Sequence, residues 1–163
     1  MADNVQPRSK LVREGLAYWN RIRGHRPMPA RADVNPVDIP KLLPYVMLID
    51  VVHDPLDFRF RLLGSAHDEI VGGDYRGRLF SMLPHTAKGN PIWAQYARVV
   101  DERRPICGEV TYVGQDPFVR HHFEHCLMPL SADGVTVDMI FVVTDVERRP
   151  SGETPFSQRI VSP

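Results

Sequence analysis

Residues 106–146 decide the fold of this chain, and they read ICGEVTYVGQDPFVRHHFEHCLMPLSADGVTVDMIFVVTDV. From Ile106 onward, apolar and polar side chains alternate with a period of two, which is typical of β-strands. Turn-forming residues interrupt the alternation at 114–118 and again at 131–134. We therefore expect three consecutive strands, over 106–112, 121–130 and 135–146, that form an antiparallel meander.

Two more strands are predicted upstream of this meander. Residues 45–53 are rich in β-branched and large apolar side chains, and residues 58–63 alternate phenylalanine or leucine with arginine. Between the two groups of strands we expect short helices over 65–72 and 79–83. A longer amphipathic helix should follow, capped by Asn90-Pro91. The element order predicts an α+β domain in which short helices cover one face of a five-stranded antiparallel sheet.

An amphipathic helix is predicted before the sheet, over residues 9–23, with Ser9 as its cap and Gly24 at its end. Its apolar stripe, spaced by three and four residues, consists of Val12, Leu16, Trp19 and Ile22. Such a stripe must be buried, either on the free face of the sheet or against a second copy of the chain. We favour the second copy, and predict a homodimer. A further short helix is expected over 35–43.

The length of 163 residues suits one domain. We expect disorder over residues 1–8, a single domain over 9–147 whose core spans 45–147, and a mobile tail over 148–163. Lys plus Arg and Asp plus Glu both number 20, so no net charge draws nucleic acid to the chain. No apolar run resembles a leader or approaches the roughly 20 residues of a membrane span. We therefore expect a cytoplasmic chain that binds neither nucleic acid nor membrane.

Five separated segments resemble a bacterial family of PAS domains known as PAS family 5. They are YW at 18–19, MPARADVNP at 28–36, LLP at 42–44, FRFRLLG at 58–64 and PLSADG at 129–134. The resemblance extends over residues 10–146, nearly the whole chain. It implies the PAS fold and a sensory or regulatory module that binds a small ligand or a protein partner. It supplies no catalytic residues, and fold implies function only loosely.

A ligand site is expected in the cavity that such a fold encloses between its sheet and helices. The predicted lining consists of side chains on the presumed inward faces, namely Phe60, Leu62, Trp93, Tyr96, Tyr112, His125, Met139 and Phe141. The ligand itself is not identified by the sequence. In the alternative interpretation these side chains only fill a core, and the chain is a structural interaction domain.

The segment RHHFEHC at 120–126 offers a second alternative, a metal or haem site. On a strand, His121 and His125 share one face but start roughly 13 Å apart, too far to chelate one ion unaided. His122, Glu124 and Cys126 share the other face. Haem needs only one axial histidine, and His125 is the candidate because it points into the cavity if its neighbours do.

No enzyme motif is present: GxSxG, HExxH, GxGxxG and the phosphate-binding loop are all absent, so we predict no catalytic residues. The two cysteines, Cys107 and Cys126, lack CxxC spacing and are expected as reduced thiols, with a structural disulfide as the less favoured alternative. If the turn before β-strand 121–130 centres on Asp116-Pro117, these cysteines face each other across two strands. The same register places Glu109 opposite Glu124, an unfavourable pair of like charges.

Overall fold

The computed structural model describes residues 6–67, 73–113 and 119–150. Five strands form one antiparallel sheet in the order β2-β1-β5-β4-β3. They are β1 (Val46–Val52), β2 (Asp57–Leu63), β3 (Ile106–Val113), β4 (Val119–Leu130) and β5 (Met139–Pro150). The predicted five-stranded sheet is thereby confirmed, with the last strand of the chain at its centre.

Strand β5 begins four residues later than predicted, at Met139. The loop before it satisfies its backbone locally, because Asp133 Oδ1 accepts hydrogen bonds from the amides of Val135 and Thr136. Those amides are not available to a sheet ladder. At its other end β5 continues to Pro150, which pairs with Val119. The predicted boundary between domain and tail at residue 147 stays a prediction, and residues 151–163 of the predicted tail lie outside the described part.

Most helices begin and end at the positions that their capping residues predicted. Helix α1 (Lys10–Arg23) starts after Ser9, whose hydroxyl accepts from an amide of the first turn, and Gly24 ends it with φ 58°. Helix α2 (Pro91–Glu102) is capped by Asn90. Short 3₁₀ helices cover Arg31–Asp33, Pro36–Asp38, Leu43–Tyr45 and Phe80–Met82. The helix predicted over 65–72 is described only as far as residue 67.

The single helix predicted over 35–43 was wrong, since a 3₁₀ turn covers only Pro36–Asp38 there and the next one begins at Leu43. Pro40 explains the break, because its nitrogen has no hydrogen to donate to the preceding turn. Of the segment 1–8, for which disorder is predicted, the structure describes residues 6–8. Pro7 is buried, and the amides of Arg8 and Ser9 donate to the Glu124 carboxylate on β4.

Helix α1 packs against the face of the sheet formed by β4 and β5. Val12 and Trp19 are buried there within the chain, and Leu16 and Ile22 are partly buried against the same core. The Trp19 indole donates a 2.8 Å hydrogen bond to the Pro129 carbonyl. Val12 and Trp19 are therefore covered by the sheet of the same chain, whereas Leu16 and Ile22 are only partly covered, and the predicted dimer surface stays a prediction.

The opposite face of the sheet is covered by α2 and the 3₁₀ helix Phe80–Met82, which meet β2 and the β3–β4 pair. Aromatic rings form the contact: Phe80 lies 4.9 Å from Tyr96 and 5.4 Å from Phe58, measured between ring centroids. The domain therefore has three layers, with the sheet in the middle. None of the helices in the described residues is long and apolar enough to cross a membrane.

Candidate functional site

A cavity of about 120 Å³ lies between the sheet and the helices that cover it. All five strands, α2 and the segments before α2 contribute to its wall. The lining residues are Met47, Phe60, Leu63, His67, Phe80, His85, Thr86, Ile92, Tyr96, Val110, Phe123, His125 and Thr144. The wall is mainly aliphatic and aromatic, with a few polar groups, which is the usual composition of a small-molecule site.

His125 and Thr144 place two polar groups side by side on the floor of this cavity. They are directly opposite each other in the register of β4 and β5. Because side chains alternate along a strand, both point to the helix-covered face, together with Phe123 two residues before His125. Cross-strand partners have Cβ atoms about 4.5–5.5 Å apart, so one small molecule can contact both.

The His125 imidazole is oriented by Gln95 of α2, whose Oε1 lies 2.6 Å from His125 Nε2. His125 is only 7% exposed, and burial lowers its pKa to about 4. The ring is therefore neutral near pH 7. With Gln95 Oε1 as acceptor, Nε2 carries the proton and Nδ1 remains a hydrogen-bond acceptor.

The Thr144 hydroxyl is buried and lacks a hydrogen bond. The residue is 3% exposed, and its Oγ1 has no hydrogen-bond partner among the described residues. A buried hydroxyl of this kind is unusual and loses free energy relative to a hydrated one. Another cavity hydroxyl, on Thr86, donates to the Phe80 carbonyl at 3.0 Å. Thr144 is thus a polar group that a bound molecule could satisfy.

Two further histidines line the cavity and were not predicted. His67 is buried, and His85 is half-buried with its ring 5.7 Å from the Tyr75 ring in an edge-on contact. Burial lowers the pKa of His85. Both stand in short connecting segments without hydrophobic periodicity, so the sequence offered no pattern from which to assign a direction to their side chains.

Three of the eight predicted lining residues, Phe60, Tyr96 and His125, do line the cavity. Trp93 instead packs edge-on against Phe58, with ring centroids 5.1 Å apart. Leu62 was predicted wrongly and is 41% exposed. The register between β1 and β2 shifts next to it, so Leu63 points inward in its place.

Met139 and Phe141 were also predicted on the wrong face of β5. The Phe141 ring contacts the Tyr18 ring of α1 at 6.1 Å in an edge-on geometry, and Met139, two residues earlier, shares that face. The cavity is reached instead by Thr144. The backbone of Tyr112 pairs with His121, but its side chain is outside the part that the structure describes.

On the α1 side of the sheet, Cys107 and Cys126 form a disulfide across β3 and β4. The expectation of reduced thiols was wrong, although the register that brings these residues together was anticipated. Disulfides persist in oxidising compartments, so this bond weighs against the predicted cytoplasmic location, which stays a prediction.

Glu109 does lie opposite Glu124, as in the register considered above, and each carboxylate has a compensating partner. Glu109 lies 3.4 Å from His122 Nε2, and Glu124 accepts the two amides that precede α1. His122 Nδ1 is 3.0 Å from the Thr111 hydroxyl. These contacts use the side chains that a metal site would need.

The metal and haem alternatives find little support in this geometry. Among residues 6–67, 73–113 and 119–150, no group of three or more His, Cys, Asp or Glu side chains could hold a metal ion. The cavity is also far below the roughly 300–1,000 Å³ of pockets for drug-sized ligands. Haem does not fit it, and the His125 Nε2 that would bind iron is occupied by Gln95.

Comparison with known proteins gives a family match over most of the chain. A model of the PAS domain family matches residues 8–143. No curated protein matches the sequence. Among solved structures, the PAS domain of a protein from Colwellia psychrerythraea is similar at 10% identity. It covers 67% of this chain and 93% of its own, with a TM-score of 0.46. A fungal LOV domain photoreceptor is similar at 12% identity over 71% of this chain and 93% of its own, also with a TM-score of 0.46.

Proposed function

Because this chain belongs to the PAS domain family, we propose that it is a sensory or regulatory module that binds a small molecule in its internal cavity. The observation that carries the proposal is the cavity of about 120 Å³ with an unsatisfied, buried Thr144 hydroxyl in its wall. A structural domain with a filled core would gain nothing from such a space. Empty volume forfeits packing contacts, and an unpaired polar group forfeits hydration.

The proposal includes no catalytic step. His125 and Thr144 lie side by side, yet Thr144 Oγ1 has no hydrogen-bond partner in the described residues, so the imidazole does not activate the hydroxyl. The His125 proton is directed at Gln95 and away from Thr144. The arrangement therefore favours binding over nucleophilic chemistry.

Occupancy of the cavity would be reported through the sheet. His125 and Thr144 face the ligand, and the next residues of the same strands, Cys126 and Val143, face α1. Gly15 of α1 packs so closely on Val143 that a Cβ at this position would lie 2.6 Å from it. A small displacement of β4 or β5 would therefore move α1.

In this proposal, a protein partner or a second copy of the chain detects the movement of α1. A second copy would have to use a surface that does not depend on the buried Val12 and Trp19. Light scattering on the purified chain, with and without ligand, tests this part. A monomer under both conditions at micromolar concentration would remove the second copy from the proposal.

Cavity filling tests the central claim. A library of small molecules would be screened by ligand-observed NMR against the wild type and Val110→Phe, which fills the cavity from β3. Val135→Phe is the matched control, since Val135 is 57% exposed in a loop. We expect molecules that bind the wild type and the control but not Val110→Phe. Equal binding to all three proteins, or no binding at all, would refute a cavity ligand.

A further inference from the structure

The size of the cavity limits its occupant to a molecule of one ring. Its volume is about 120 Å³. An engineered apolar cavity of similar volume, about 150 Å³, binds benzene. Rings of the wall lie close together, with Phe60 and Phe80 centroids 4.7 Å apart and Phe80 and Tyr96 centroids 4.9 Å apart. Such walls favour flat, apolar ligands through edge and stacked contacts.

The charge of the wall limits the occupant further. Among the described lining residues there is no carboxylate, ammonium or guanidinium group. The imidazoles of His85 and His125 both have a pKa lowered by burial, so they remain uncharged near pH 7. A cation would lose its hydration here without gaining a carboxylate from the described lining, and an anion would gain no positive charge from His85 or His125. Both kinds of ion are therefore disfavoured beside these groups.

Thr144 and His125, the polar pair on the cavity floor, favour a ligand that carries one hydroxyl group. Thr144 Oγ1 is buried without a partner and can both donate and accept. The neighbouring His125 retains Nδ1 as an acceptor because Nε2–H donates to Gln95. A ligand hydroxyl can accept from Thr144 and donate to His125, whereas a hydrocarbon would leave Thr144 unsatisfied.

From these three limits, and resting on the cavity function proposed above, we infer that the ligand is a small, uncharged, ring-sized molecule carrying one hydroxyl group, with phenol as the simplest representative. The inference concerns the chemical class of the ligand. It is separable from the claim that the cavity binds a ligand at all.

Three probes of nearly equal size separate the two claims: phenol, benzene and benzoate. Each is titrated into the full-length ¹⁵N-labelled protein at pH 7, and dissociation constants are obtained from amide shifts near His125 and Thr144. Phenol should bind about 3- to 10-fold more tightly than benzene, which is the range that one net hydrogen bond provides. Benzoate should not bind.

The Thr144→Val variant removes the hydroxyl without changing the shape of the side chain. It should reduce the ratio of benzene to phenol dissociation constants to about 1–3, a range that allows for the remaining His125 acceptor. Thr136→Val, the same change in an exposed loop, should keep the wild-type ratio. The probe series on the wild type needs no variant, so it remains decisive if Thr144→Val does not fold.

The outcomes are distinguishable. If benzene binds as tightly as phenol, if benzoate binds best, or if Thr144→Val keeps the wild-type ratio, the inferred ligand class is wrong and the cavity function stands. If none of the three probes binds, the inferred ligand class is wrong, and the screen against Val110→Phe decides the cavity function separately.

Discussion

Acid should destabilise this domain through one buried imidazole, that of His125. Burial beneath α2 lowers the pKa of His125 to about 4 in the folded protein, while an unfolded histidine titrates near 6.5. Between these two values the unfolded state holds the proton and the folded state does not. The free energy of unfolding must therefore fall as the pH falls from 6.5 to 4. Above pH 6.5 neither state is charged, and below pH 4 both are.

The magnitude follows from the width of that window. A difference of about 2.5 pH units, at about 1.4 kcal/mol per unit, gives a loss of about 3 kcal/mol between pH 7 and pH 4. This is a large part of the 5–15 kcal/mol that typically stabilises a domain. Since His85 also has a pKa lowered by burial, the total loss in the wild type should exceed the share of His125.

The variant His125→Phe isolates that share, because phenylalanine fills a similar volume and cannot be protonated. Urea unfolding at half-unit steps from pH 7 to pH 4 gives the free energy of unfolding for each protein. The wild-type curve should fall by about 3 kcal/mol more than the variant's over this range. His25→Phe, a change at an exposed histidine, is the matched control and should follow the wild type. Parallel curves for the wild type and His125→Phe would refute the reasoning.

Three further predictions concern the α1 side of the sheet. Gly15→Ala should lower the free energy of unfolding by about 1–3 kcal/mol through overpacking against β5, whereas Gly73→Ala, with open space around it, should not, as urea titration will show. Replacing Cys107 and Cys126 by serine should lower it by about 3 kcal/mol, as expected for a crosslink spanning 19 residues. In guanidinium unfolding, a reductant should then lower the transition midpoint of the wild type and leave that of the serine variant unchanged. Glu124→Gln should weaken the anchoring of the amides before α1 by about 1 kcal/mol. Hydrogen exchange would then speed up in the first turn of α1 and not in α2; unchanged exchange there would contradict the role of this carboxylate.

Elements with strong local signals were predictable from the sequence. Ser9 and Asn90 cap α1 and α2 where expected, since a side-chain oxygen before an apolar repeat satisfies amides that the helix leaves free. The period of two predicted the strands, and the pairing of Cys107 with Cys126 is the register that a turn centred on Asp116-Pro117 would produce, one that the sequence alone left open. These features depend on a few neighbouring residues.

The direction of side chains was harder to predict where both faces of a strand are buried. In β5, Ile140, Phe141, Val142 and Val143 are all fully buried, so hydrophobicity carries no information about which of them meets the cavity. In β2 a register shift reverses the alternation at Leu62. The stripe of α1 posed a similar difficulty, because an apolar surface does not reveal whether its partner is the same chain or another.

The central position of β5 has a consequence for how the protein is made. During synthesis the β1–β2 hairpin can form early, and the β3–β4 hairpin can form once residue 130 has been added. The two hairpins share no hydrogen bonds until β5 is inserted between β1 and β4. The nascent chain therefore carries two exposed sheet edges until the ribosome has completed this last strand. A truncation before Met139 would leave two hairpins without the strand that joins them.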